Sequence, residues 1–278
     1  MPKRHRPVRR LAALALAAAA MTPLAGCAAA PSTGGAPSVA GQPGGPTIAI
    51  GVATDEPGMG LFHDGAYSGF EVDVARYVAG KLGYASKQII FRQARPSDRA
   101  AMLADGTVDM VLAGYAMTDA NEAEADFAGP YLTVSQDLLV RASDATAIRS
   151  VADMAGRTAC VVVDGAAGAA LKTAAPAVRI QERDTYPQCV TALIVGEADA
   201  IAADDAILSG LAAAKGHGYL TLVGDRYGAV DYGIAVKDGD SQLAARLDTA
   251  LRDMSADGTR ARLLAGLQAE TGYRTDGA

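Results

Sequence analysis

The sequence predicts an α/β protein built from two similar lobes with mainly parallel sheets. Short apolar runs alternate with amphipathic helical stretches from Ile48 onwards, as βα units do. Gly83, Gly106, Gly156, Gly196 and Gly216 fall where helices or turns should stop. One unit also occurs twice: residues 101–113, AMLADGTVDMVLA, are echoed by residues 191–203, TALIVGEADAIAA. Each reads as a helix end, a glycine, a short turn, an aspartate (Asp109, Asp199) and a buried strand. Such units recur in many α/β proteins, so the echo supports two lobes only together with the alternation.

The elements follow in order. Ile48–Val52 reads as a strand. Glu71–Leu82 places Val74, Val78 and Leu82 on one helical face, with Ala75 and Ala79 beside them. A strand at Ile89–Phe91, a helix at Asp98–Ala104 and strands at Val108–Ala113 and Leu138–Arg141 come next. The second half reads strand Thr158–Val163, helix Ala166–Ala174, strand Val178–Gln181, helix Pro187–Val195, strand Ala200–Ala203, helix Asp205–Ala214 and strand Tyr219–Val223. Tyr232–Val236 is a further strand, and helices at about 241–255 and 258–268 close the chain.

The amino terminus carries Lys3, Arg4, Arg6, Arg9 and Arg10, then an apolar run from Leu11 to Met21. That run is too short to span a bilayer and has the layout of a secretory signal. It ends at Leu24-Ala25-Gly26-Cys27, which looks like a lipobox; residues 1–26 are then a leader and Cys27 the lipid-bearing residue. Residues 27–46 are rich in Ala, Gly, Pro and Ser and offer no core. They read as a flexible tether with a reach of roughly 25 Å. Removing the leader takes away five of the 25 basic residues and none of the 31 acids, leaving a formal charge of −11. That balance argues against nucleic acid, which asks for a basic stripe. Cys160 and Cys189 remain as an even pair in an exported chain, which suggests a disulfide; two separate buried thiols are the alternative. No Cys or His cluster accompanies them, and His63 and His217 are isolated, so neither a metal nor a cofactor is expected.

Residues 113–131, AGYAMTDANEAEADFAGPY, resemble the ligand-contacting segment of the amino-acid-binding family of bacterial extracellular solute-binding proteins, family 3. That family carries G-x-[ST]-x-T-x-x-R followed by D-F-[AS]-x-P-Y. Gly114, Thr118, Asp126, Phe127, Pro130 and Tyr131 fit. Residues 67–78, YSGFEVDVARYV, resemble the G-F-[DE]-[VI]-D signature, and residues 203–208, ADDAIL, the second-lobe T-D-D-A-I-L pattern. The cysteine pair fits the glutamate- and glutamine-binding branch. In order, the likeness runs from Thr47 to about Leu267. It implies a two-lobe periplasmic-binding-protein-like fold (type II) with two crossing hinge strands. Lobe one would be 47–137 with 233–270, lobe two 138–228, the hinge return 229–232 and the tail 271–278.

The resemblance also implies a site. Asp204 matches the acid that holds a ligand ammonium; capping of the helix from Asp205 is the competing role. The family's carboxylate-binding arginine becomes Asn121, its hydroxyl residue becomes Ala116, and the small hydroxyl residues of lobe two fall at Ala166 or Ala167. Its basic and aromatic positions on the first strand fall near Ala53 and Thr54. Three substitutes compete for the lost guanidinium. Arg99 or Arg95 could take its place, or the amides of residues 165–168 could hold an anion at a helix start. The third is a ligand without a carboxylate, met by an acidic cleft of Asp55, Glu56, Asp164, Asp204 and Asp205. Gly114, Ala116, Thr118, Asn121, Asp55, Arg95, Arg99, Ala167 and Asp204 are thus the candidate ligand-binding residues. Glu71 and Asp73 suit a helix start rather than a ligand. Tyr67 and Tyr115 could stack on one or simply end half-buried strands.

The function implied is a monomeric, lipid-anchored, extracytoplasmic receptor that closes on a small polar solute, such as glutamate or glutamine, and delivers it to an ABC permease. A sensor feeding a membrane signalling protein is the alternative. No catalytic residues are expected: P-loop, nucleophile-elbow, zincin and paired Cys-x-x-Cys motifs are all missing.

Overall fold

The computed structural model describes residues 45–215 and 218–275. The leader, Cys27, the tether up to residue 44, Gly216, His217 and the last three residues lie outside the described residues.

The first half of the chain runs β1 (Ile48–Val52), a hairpin of β2 (Asp55–Glu56), β3 (Gly60–His63) and β4 (Ala66–Ser68), α1 (Phe70–Lys81), β5 (Ile89–Gln93), α2 (Arg99–Ala104), β6 (Met110–Leu112), α3 (Asp119–Glu122) and β7 (Ala125–Arg141). The second half runs β8 (Thr158–Val162), α4 (Ala167–Ala174), β9 (Arg179–Arg183), α5 (Tyr186–Val195), β10 (Ala200–Asp204), α6 (Asp205–Ala214), β11 (Leu220–Leu222), β12 (Tyr227–Lys237), α7 (Ser241–Ala256) and α8 (Thr259–Thr271).

One sheet runs through both lobes in the order β5-β1-β6-β12-β7-β10-β8-β9, with β11 on β7. Within each lobe the βα strands are parallel: β1 with β5 and β6, and β8 with β9 and β10. The sheet as a whole is mixed, because β7 and β12 are long and pair antiparallel with each other and with β10 and β6. A strand leaving one lobe and a strand returning to it must run in opposite senses. Their shared ladder shifts register between Tyr232 and Ile234, near the middle of the crossing.

Both lobes bury both faces of their sheet. In lobe one Ile48, Ile50, Val52, Met110 and Leu112 face one cluster, while Ala53, Val111 and Ala113 face another. In lobe two Cys160, Ile201 and Ala203 face the first, and Ala159, Val161, Ala200 and Ala202 a third. This alternation follows from the period of two along a strand. α1 presents Val74, Ala75, Val78 and Ala79 to the core, all fully buried, with Glu71 and Asp73 in its first turn and Lys81 in its last. α5 starts on Thr185, whose side chain accepts from the Gln188 amide, and stops on Gly196 at φ 82°. Its Cys189 is disulfide-bonded to Cys160 on β8, with 5.5 Å between Cα atoms. The bond staples helix to sheet across 29 residues of sequence and adds about 3–4 kcal/mol in the chain-entropy picture.

The internal echo has a physical cause. Asp109 accepts from the Ala49 amide at 2.7 Å and donates its own amide to the Ala49 carbonyl at 2.8 Å. Asp199 does the same with Thr158, at 2.7 and 2.8 Å. Each aspartate therefore pairs its turn with the start of its lobe's first strand.

β12 begins at Tyr227, five residues before the expected Tyr232, and the short helix α3 was not expected; two larger regions also differ from the sequence expectation. β7 spans 17 residues where only its last four were expected, because Asp126, Gly129, Pro130 and Asp137 interrupt the apolar pattern. The β2–β4 hairpin was not expected at all, because Gly60, His63, Asp64 and Gly65 break up any strand periodicity.

Candidate functional site

β1, β6, β8 and β10 all end, at their carboxyl ends, at the boundary between the lobes, where open α/β sheets leave a crevice. There lies a cavity of about 460 Å³. Lobe one contributes Glu56, Arg99, Gly114, Tyr115, Ala116, Thr118, Asn121 and Glu124 to its wall; lobe two contributes Asp164, Gly165, Ala166, Ala167, Tyr186, Asp204 and Ile207.

Asp204 is the best-held polar group of the wall. It stands at the N-cap position of α6 but makes no side-chain cap bond. Its carboxylate instead accepts from the Gln136 amide and from the Tyr232 hydroxyl. Gln136 and Tyr232 are fully buried residues of the two crossing strands. Burial pushes the Asp204 carboxyl up to about 6, against the lowering effect of the Tyr232 hydroxyl. Tyr232 also explains a glycine: at Gly114, φ 59°, a Cβ would lie 3.3 Å from the Tyr232 ring.

The opposite wall is spent on itself. Thr118 Oγ1 accepts from the Asn121 amide, capping α3. Asn121 Nδ2 donates to the Ala116 carbonyl at 2.8 Å. The Gly114 amide donates to Glu71 Oε1 at 2.7 Å. Glu71, fully buried, also accepts from the Tyr131 hydroxyl at 2.5 Å, so it is architecture, as its place in the helix suggested. Arg99 donates to the carbonyls of Ala113 and Gly114 and lies over the Tyr115 ring, 5.2 Å from its centre. Tyr115 is therefore a cavity-wall residue carrying a guanidinium, whereas Tyr67 packs between Phe62 and Phe91.

Of the expected site residues, Gly114, Ala116, Thr118, Asn121, Arg99, Ala167 and Asp204 line the cavity. Asp55 and Arg95 do not; they line a narrower neighbouring cleft with Ala53, Thr54 and Glu56. Asp55 Oδ2 accepts the Tyr186 amide of the other lobe at 3.0 Å. The acidic cleft is likewise only partly assembled. Glu56, Asp164, Asp204 and also Glu124 line the cavity, but Asp205 is turned away, 2.9 Å from Arg226 Nε. Asp164 adopts φ 58°, a left-handed backbone that costs energy for a non-glycine residue and is often found at binding sites. Sequence reasoning missed Gln136, Tyr186 and Tyr232. The first and last sit in strands where nothing marks them as polar partners of Asp204.

A sequence profile of the bacterial extracellular solute-binding proteins, family 3, matches residues 48–266. Glutamate-binding protein GluB of Corynebacterium efficiens is 33% identical over 228 residues, covering 78% of this chain and 77% of the relative. ABC transporter glutamine-binding protein GlnH of Bacillus subtilis is 32% identical over 214 residues, covering 76% and 77%. Among solved structures, an ancestral arginine-binding protein bound to arginine superposes with a TM-score of 0.74 at 26% identity, covering 80% of this chain and 98% of that one.

Proposed function

The chain belongs to family 3 of the bacterial extracellular solute-binding proteins, a family of receptors rather than enzymes, and on that premise we propose that it receives an amino acid for an ABC importer. One observation carries the reading: Asp204 offers a carboxylate to the cavity, fixed from behind by Gln136 and Tyr232 rather than spent on a helix cap. A ligand ammonium there makes a charge-assisted contact in a low-dielectric wall. The α-carboxylate then rests on Arg99, the cavity-lining cation, whose Nε has no partner among the described residues, or on the first amides of α4, which opens onto the cavity at Gly165–Ala167. The lobes, 47–137 with 233–270 and 138–228, close as bodies about the crossing strands at 229–232. Cys27 carries the lipid that anchors the receptor outside the cell membrane; mass spectrometry of the processed amino terminus tests this.

A second reading, a ligand with no carboxylate, is favoured by one specific contact. Asn121, standing where the resemblance puts the arginine, gives its side-chain amide to the Ala116 carbonyl and adds no charge to the wall. A thermal-shift screen at millimolar solute separates the readings, since binding stabilises by RT ln(1 + [L]/Kd). Amino acids should raise Tm. If glutamate, glutamine, aspartate and lysine all leave it unchanged while a simple amine raises it, the amino-acid reading is wrong.

A further inference from the structure

We propose that Glu56 is a specificity-determining residue of the cavity, the anchor for a second positive charge on the ligand, so that the receptor prefers dicationic solutes (basic amino acids or diamines) to glutamate. The inference rests on the cavity being the solute site.

Glu56 is 3% exposed, and its Oε2 is buried without a hydrogen-bond partner. Among the buried unpartnered atoms of the described residues, only Glu56 Oε2 and Arg99 Nε belong to cavity-lining side chains. Buried carboxylate oxygens are normally satisfied, and an orphan on a cavity-lining side chain calls for a partner from outside the chain. The groups around Glu56 make it worse off. Glu71 from α1, Asp55 from β2 and Asp204 from β10 all oppose its charge, and Arg99 from α2 alone relieves it. Arg99 already gives two nitrogens to the Ala113 and Gly114 carbonyls. Tyr186 from α5 lies in the same field. Burial, then Glu71 and Asp55, hold the Glu56 carboxyl well above the usual carboxylate range. An incoming cation supplies the missing counter-charge and displaces that proton to solvent.

The four carboxylates of the wall against one guanidinium fit the same ligand class. Among the described residues no group of three or more Cys, His, Asp or Glu side chains is arranged to hold a metal ion. An organic cation therefore suits the wall, with Asp204 taking one ammonium and Glu56 the other. A Glu56 that served packing alone would gain from being Gln, because the neutral amide escapes the repulsion.

The test is calorimetric titration of wild type and Glu56→Gln with L-lysine, L-ornithine, putrescine, L-glutamine and L-glutamate. Wild type should bind lysine or ornithine more tightly than glutamate, and Glu56→Gln should lower the lysine-to-glutamine affinity ratio at least about tenfold. Repeating the titrations in buffers of different ionisation enthalpy should show more protons released by lysine than by glutamine, a difference that Glu56→Gln removes. A wild type that prefers glutamate or glutamine overturns the proposal while leaving the receptor reading intact. So does a variant that weakens lysine and glutamine equally. Binding of none of the five probes overturns both. Should the variant fold poorly, the wild type alone decides: lysine affinity must rise between pH 5 and pH 8 more steeply than glutamine affinity, and parallel curves refute the assignment.

Discussion

The two echoed units do the same job at one end and different jobs at the other. Asp109 and Asp199 each hold the start of their lobe's first strand, at Ala49 and at Thr158, through a pair of 2.7–2.8 Å bonds. Past the strand they part. β6 runs into Gly114, whose amide is consumed by Glu71. β10 runs into Asp204, whose carboxylate is held by two side chains and turned to the cavity. Repetition thus marks the scaffold, and the break in repetition marks the chemistry. Lobe one brings groups bonded mostly to one another, with Glu56 Oε2 and Arg99 Nε left over; lobe two, past β10, brings the held carboxylate of Asp204.

The strongest way to break this comparison is Asp204→Asn. If lobe two supplies the essential charge, affinity for an amine-bearing ligand should fall by about 2–5 kcal/mol, the range for truncating one partner of a buried charge pair. Calorimetry reads this directly, and loss of less than threefold in affinity, roughly 0.6 kcal/mol, would remove Asp204 from the site. Asp204→Asn should also stabilise the unliganded protein at neutral pH, because it removes an uncompensated buried charge.

The pH dependence sharpens the same point. The folded-state carboxyls of Asp204 and Asp205 titrate near about 6, against an ordinary value of 3.8, chiefly through burial. Between those values the folded chain holds more protons than the unfolded chain. Their contribution to stability is therefore complete below 3.8 and is lost as pH rises to about 6. Ligand affinity has the opposite sign, since an ammonium prefers the ionised Asp204. The difference in denaturant stability between wild type and Asp204→Asn should grow by on the order of 2 kcal/mol from pH 4 to pH 7. A flat difference would show that Asp204 is not held in a desolvated wall.

Much of the scaffold was legible because it obeys local rules. Val74 and Val78 are spaced for one helical face, Gly196 ends α5 in the left-handed region, and the echoed aspartates stand at equal offsets from their glycines. The site was half legible. Asp204 could be placed by its position after a buried strand, but its partners Gln136 and Tyr232 lie 68 and 28 residues away in sequence, and no local pattern joins them. Glu56 could be grouped with the acids. Its burial could not be read, since it depends on the β2–β4 hairpin, a polar, glycine-rich stretch without strand periodicity. Asp205 was misplaced because the chain passes from extended backbone at Asp204 to helix at Asp205, sending one side chain to the cavity and the other to Arg226.

The structural half of the echo makes a smaller, symmetrical prediction. Asp109→Ala and Asp199→Ala should each cost about 1–3 kcal/mol, leaving the Ala49 or the Thr158 amide without its side-chain acceptor. Urea melts should show similar losses, with ligand affinity per folded molecule unchanged. Unequal losses, or a selective loss of affinity from Asp199→Ala, would mean that the two aspartates are not the same device.

The smallest effect concerns the weak wall. Asn121→Arg would place a guanidinium beside Ala116 and Thr118, where the family resemblance puts one, at the cost of the 2.8 Å bond to the Ala116 carbonyl. If the stretch from Ala116 to Asn121 lacks only charge, affinity for glutamine or glutamate should rise about tenfold, the scale of one added charge-assisted bond set against that loss. Putrescine, with no carboxylate, should weaken, because the new cation adds to Arg99 and opposes it. Should glutamine show no gain while putrescine weakens, the guanidinium has reached the cavity but the carboxylate is already satisfied elsewhere. Arg99 and the first amides of α4 are then its remaining partners. Arg99→Lys separates those two: it keeps a cation while removing the planar fork that binds a carboxylate with two bonds, so glutamine affinity should fall only if Arg99 is the clamp.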